Sequence, residues 1–146
     1  MAPGTGNPAW IRALLSQPWM LPAARLALVS AYLIGGIGKA LDFDGAVAEQ
    51  ARFGLHPAAL WAVLAIAVEI VGSLCVVLRR FTWLGAGGLG MLTLVATTVA
   101  NDFWNQAGAA RFMALNSFFE HLGLIAALVL ATVLDDAKRA SDEAHA

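Results

Sequence analysis

The side chains able to do chemistry are few, and several lie where a chain this apolar should have none. Glu69 sits in PAALWAVLAIAVEIVGSLCVVL, about 18 Å along a helix that starts at Pro57. Asn116, Glu120 and His121 sit in FMALNSFFEHLGLIAALVLATVL. Asn116 and Glu120 share one helical face, and His121 points about 100° away from Glu120. A charged side chain in mid-bilayer costs about 2.5–3.5 kcal/mol on insertion scales, so each carboxyl must be neutral, paired or hydrated. Glu69 and Glu120 fall at similar depth and are expected to face one another inside a bundle. Arg25 and Lys39 lie near the two ends of PAARLALVSAYLIGGIGKAL. The expected pairing is Arg25 with Glu69, with Lys39 at the outer mouth beside Asp42, Asp102 or Asn116. Two readings of Glu69 stay open: a polar bond between helices, or a site that handles a ligand or a proton. The same two stand for Glu120 and His121.

No set of residues reads as catalytic. Cys75 is the single cysteine, so the chain alone carries no thiol–disulfide relay; it reads as a small buried apolar residue. His121 is the only histidine within an apolar span, and its neighbour Glu120 diverges from it, so no metal site is expected. Gly85, Gly87 and Gly90 match G-x-G-x-x-G, but that motif needs a preceding strand and a helix start in water. Inside an apolar span these glycines read instead as close helix packing. Gly35, Gly36 and Gly38, and Gly72 with Ser73, read the same way.

These residues need a scaffold, and composition names it. Of 146 residues, 60% are hydrophobic and 13% charged, against about 45–50% and about 25% in soluble domains. Mean hydropathy is +0.72. That excludes a disordered chain, a disulfide-rich secreted domain and an ordinary soluble enzyme. Lys and Arg total 9 and Asp and Glu 10, for a net charge of -1, so no basic face is offered to nucleic acid. Four apolar spans stand out: Pro22 to Leu41, Pro57 to Leu78, Phe81 to Ala100, and Phe112 to Leu134. Each is about 20 residues, enough to cross about 30 Å of hydrocarbon. Apolar residues cover every face, unlike an amphipathic soluble helix. The expected fold is all-α: a polytopic membrane protein with an antiparallel bundle of four transmembrane helices.

Arg79 and Arg80 leave almost no loop between spans two and three, which must form a tight hairpin. The basic residues Arg12, Arg25, Arg79, Arg80, Lys138 and Arg139 fall on one side, and Lys39, Arg52 and Arg111 on the other. That bias places both termini in the cytoplasm. Trp10, Ile11, Leu14 and Leu15 share a face, which predicts a short N-terminal helix lying in the interface. The chain then divides into a leader and interfacial segment at 1–21, a membrane domain at 22–134, and a polar cytoplasmic tail at 135–146. The leader lacks the basic start and cleavage site of a signal peptide. The tail is expected to fray. Asp42 and Phe43 after span one, and Asn101, Asp102 and Trp104 after span three, form candidate outer rims over the polar interior, or else interface anchors and caps.

Taken together, these pieces resemble the DoxX family. Arg25 opening span one, GGIGKALDFDG at its end, Glu69 and Gly72 as E-x-x-G in span two, NDFW after span three, and RFMALNSFFEHLGL with Asn116 opening span four follow the family's order and spacing over about Trp19 to Leu134. Asn101 stands where His is frequent and Leu115 where Lys is frequent, and both departures weaken the carry-over of a proton- or metal-handling role. The resemblance implies a multi-pass protein of the bacterial inner membrane. Some relatives are named as subunits of sulfur- or quinone-linked oxidoreductase complexes. The expected function is a non-catalytic subunit or anchor of such a complex, with a polar intramembrane site. A quinone or lipid would be the ligand, and membrane lipid with an oligomeric or redox-protein partner the surroundings. The alternative is a transporter or permeation protein for protons or a small solute.

Overall fold

A computed structural model describes residues 6–145. The opening of the expected leader, residues 1–5, lies outside the described residues, as does residue 146. Helix α1 spans Ala9–Leu15, α2 Met20–Leu41, α3 Phe43–Arg52, α4 Ala58–Val77, α5 Thr82–Ala100 and α6 Gly108–Ala144, with one 3-10 turn at Phe103–Asn105. No strand occurs among the described residues. Four helices are long and apolar enough to cross a bilayer: those beginning at Met20, Ala58, Thr82 and Gly108. The all-α fold with four helices able to span the membrane is therefore the observed one. The short N-terminal helix is present as α1, which buries no residue against the rest of the chain.

Helix α4 lies between α2 and α5, and α6 packs against α5 and closes back on α2. The core where they meet holds Val29, Tyr32, Val76, Ala86, Leu89 and Leu128. In lipid, apolar burial adds little drive, so close backbone approach must hold such a bundle. The α4–α5 crossing shows it. A Cβ added at Gly85 would stand 2.5 Å from the Gly72 carbonyl oxygen and 2.6 Å from the Cys75 Cβ. Cys75 thus packs as a small residue at the crossing. Gly36 plays this part between α2 and α4, where an added Cβ would stand 2.9 Å from Ile70 Cγ1 and 3.0 Å from Glu69 Cβ. The packing expectation fails at Gly38 and Gly87, where an added Cβ meets nothing within 4 Å; both point away from neighbouring helices.

One connection differs from expectation. The segment between spans one and two is not a plain loop but carries α3. Asp42 ends α2 and caps α3, its Oδ1 accepting from the Gly45 backbone N–H at 3.0 Å, which satisfies one of the free donors of a helix start. The polar tail continues α6, which runs unbroken through the apolar span to Ala144. By contrast, the α4–α5 hairpin is as tight as Arg79 and Arg80 imply. Arg79 and Phe81 take left-handed φ values of 57° and 58°, each costing roughly 1–2 kcal/mol for a side-chain-bearing residue. The turn is tied to α6, since the Arg79 carbonyl accepts from Arg139 Nη2 at 3.1 Å.

Candidate functional site

Ionisable side chains gather in two places inside the bundle. The first is at the arginine-rich end. Arg25 Nη1 and Nη2 donate to Asp135 Oδ2 at 3.0 Å and Oδ1 at 2.8 Å. Nη1 also reaches the Val76 carbonyl at 3.2 Å and Nη2 the Ala131 carbonyl at 3.5 Å. Thr82 Oγ1 donates to Asp135 Oδ2 at 2.6 Å, and Arg79 Nε to Oδ1 at 2.8 Å. One carboxylate thus joins α2, α5, α6 and the hairpin turn. Arg25 and Asp135 are each 3% exposed, and both carboxylate oxygens are bonded; only Arg25 Nε is buried without a partner, so the cluster is a lock rather than an open site. Its forked Arg–carboxylate geometry is the strongest form of such a pair.

This overturns the expected pairing of Arg25 with Glu69. It also moves Asp135 from the tail into the bundle. Asp135 directly follows the last apolar residue of span four, and of the two adjacent aspartates it is the one on the face of Leu128 and Ala131. That register is the only signal in the sequence that points to it.

The second cluster lies deeper. Lys39 Nζ donates to Glu69 Oε1 at 2.6 Å. Side chains on a helix lean toward its N-terminus, which lets Lys39, in the last turn of α2, reach back toward mid-membrane. Lys39 therefore serves Glu69, not Asp42, Asp102 or Asn116. The lysine side chain remains 24% exposed and the glutamate side chain 9%, so the pair opens to its surroundings through the lysine. Glu69 Oε2 is buried with no hydrogen-bond partner. It faces the bare backbone of Gly35, where an added Cβ would come within 3.6 Å. One turn further along α2, Tyr32 Oη and Thr93 Oγ1 lie 2.5 Å apart, and Thr93 Oγ1 donates to the Leu89 carbonyl at 2.7 Å. Thr97 is fully buried and bonded by Asn101 Nδ2 at 3.1 Å. Thr82, Ala86, Leu89, Thr93 and Thr97 form the buried stripe of α5. The three threonines at that spacing, together with Tyr32, are polar residues that the sequence reading passed over.

The remaining candidates do not join this cluster. Asn116 and Glu120 are exposed on α6, so Glu120 does not face Glu69. Their span is right, but their rotation about the helix axis turns them outward. His121 is half-buried, with Nδ1 bonded to the Ser117 carbonyl at 2.5 Å. At the outer end Asp102 accepts from Gln106 Nε2 at 2.7 Å and Asn105 Nδ2 at 3.3 Å. Trp104 packs edge-on to Phe103 and Phe118. Asp42 therefore caps α3, while Asp102 ties together the side chains of the turn after α5. Phe43, the first residue of α3, is 39% exposed. No group of three or more His, Cys, Asp or Glu side chains that could hold a metal occurs among the described residues.

Arg25, Lys39, Glu69 and the α5 stripe all fall within residues 20–102, the stretch matched by the DoxX family model. The chain belongs to the DoxX family. It is also 27% identical over 118 residues, 81% of this chain and 84% of the relative, to a protein of Escherichia coli (strain K12) named inner membrane protein YphA. No solved structure matches the chain. With four apolar crossings, this DoxX protein is a multi-pass protein of the inner membrane. Asn116, Glu120 and Asp135 lie beyond the matched residues.

Proposed function

We propose that this DoxX-family chain is a non-catalytic membrane subunit of a quinone- or sulfur-linked oxidoreductase complex, and that it contributes a polar pocket in the bilayer for the headgroup of a quinone-like lipid. The observation that carries this reading is the Lys39–Glu69 pair, with one carboxyl oxygen bonded and the other buried and free. A buried polar atom without a partner costs about 1–3 kcal/mol, and a ligand hydroxyl would recover it. Lys39 has three N–H donors and spends one on Glu69. The pair therefore offers a donor to a quinone carbonyl and an acceptor to a quinol hydroxyl, side by side. Gly35 places no side chain against Glu69 Oε2, where an added Cβ would stand in contact at 3.6 Å. Electron transfer belongs to the partner protein in this reading; the DoxX chain holds and orients the headgroup.

The test is retention of quinone by purified protein in lipid nanodiscs. Wild type should retain quinone above empty discs, and Glu69→Gln should reduce retention about tenfold or more, the equivalent of a charge-assisted hydrogen bond of about 1.5–3 kcal/mol. Gentle extraction should also bring out an oxidoreductase. Retention no higher than in empty discs would end the proposal. Proton or solute flux through reconstituted vesicles in its place would favour the transport alternative.

A further inference from the structure

Helix α6 is 37 residues long, and one flank of it has no neighbour among the described residues. Asn116, Glu120, Gly123, Ala127, Leu130 and Leu134 recur at alternating steps of four and three. All are exposed except Ala127, which is half-buried. A 3.5-residue repeat is the seam of a left-handed helix pair. This flank is not the one that packs on the bundle: Leu128 and Ala131 are buried, and Ile125 lies toward Gly90 of α5. Nor is it apolar. Glu120 lies about 12 Å along the helix from Phe112, inside the hydrocarbon region, where a carboxylate left against acyl chains costs about 2.5–3.5 kcal/mol. A Cβ added at Gly123 would meet nothing within 4 Å, so its smallness serves no contact among the described residues. A groove of about 420 Å³, lined by Glu120, His121, Gly123, Leu124 and Ala127, runs along the same flank.

We propose that a second copy of this chain covers this flank, the two α6 helices running parallel and crossing closest at Gly123. The occupant follows from complementarity. Two copies oriented alike in one membrane are related by a two-fold axis, which sets like positions opposite one another. Asn116 then faces Asn116 and Glu120 faces Glu120 of the other copy, and each Asn116 amide N–H, one turn away, donates across the seam to the other copy's Glu120 carboxyl, offsetting the approach of the two acidic side chains. The seam supplies its own donor and its own acceptor, twice over. Gly123 and Ala127 in the next layers let the backbones close, and Leu130 and Leu134 extend the contact toward the arginine-rich end.

The test is single-cysteine cross-linking of the full chain in native membranes, on a Cys75→Ala background. Leu130→Cys and Leu134→Cys lie on the seam. Val129→Cys and Val133→Cys lie on other faces, with near-equal exposure (61% and 56% against 56% and 55%). Oxidation should give disulfide-linked dimers from the first pair and monomers from the second. Wild type in nanodiscs should weigh as two copies, and Gly123→Leu should weaken dimerisation at least tenfold. If Gly123→Leu fails to fold, the cysteine pattern still decides. Monomers at all four positions, equal linking on both faces, linkage to a different protein, or one copy per disc with lipid in the groove would each overturn the proposal.

Discussion

Arg25 and Asp135 are 110 positions apart, yet they meet as a forked pair between α2 and α6, with contacts of 3.0 and 2.8 Å. The guanidinium has no water to fall back on, because its side chain is 3% exposed and that of Asp135 5%. Breaking such a pair from one side leaves a buried charge uncompensated, at about 3–5 kcal/mol. Asp135→Leu should therefore destabilise the protein by about that amount, read as unfolding in mixed micelles. The double variant Arg25→Met with Asp135→Leu should recover part of the loss. Equal stability of the single and double variants would show that the pair is not coupled.

The hairpin turn offers a contrast between two strained residues. Arg79 and Phe81 both have left-handed φ, but only Arg79 repays the strain, through Asp135 and Arg139. Phe81 is 63% exposed. Phe81→Gly should leave stability unchanged or raise it by up to about 1 kcal/mol, while Arg79→Gly should lower it despite the same relief of backbone strain. Thermal unfolding of the two variants checks the ordering.

Glycines in α5 separate in the same manner. Gly85→Ala drives a methyl into the Gly72 carbonyl and Cys75, and overpacking of this kind costs about 1–3 kcal/mol. Gly87→Ala meets nothing within 4 Å and should stabilise by up to about 1 kcal/mol through helix propensity. Opposite signs for residues two positions apart would confirm the crossing. Equal effects would contradict it.

What the sequence conveyed, and what it hid, follows from the same physics. Span length and composition are set by the bilayer, so four crossings and the tight turn at Arg79 and Arg80 could be read directly. Rotation of each helix about its axis is set by packing, and packing has no local signature in an all-apolar segment. Depth alone therefore paired Arg25 with Glu69 and set Glu69 against Glu120. The structure turns Arg25 to Asp135 and Glu120 outward. Asp135 was hidden because it begins a polar run, where an aspartate ordinarily signals solvent. Helix α3 was hidden because its ten residues are too short and too polar to resemble a span. Glu69 was legible as an anomaly, since any mid-span carboxyl must find a partner; which partner was not.

The Lys39–Glu69 pair admits a last separation, between holding the bundle and holding a ligand. Lys39→Met leaves a carboxylate that is 7% exposed as a residue without the lysine that bonds it, and should destabilise the fold by about 3–5 kcal/mol. Lys39→Met with Glu69→Leu removes both charges, and well-packed apolar replacements of buried pairs are often neutral or stabilising. The double variant should therefore fold about as well as wild type. If the pair only joins α2 to α4, that variant should keep whatever quinone retention wild type has. If the pair is the headgroup site, retention should fall to the level of empty nanodiscs while unfolding stability stays high. Stability and retention measured on the same preparation distinguish the two, because a purely structural pair would move both together or neither.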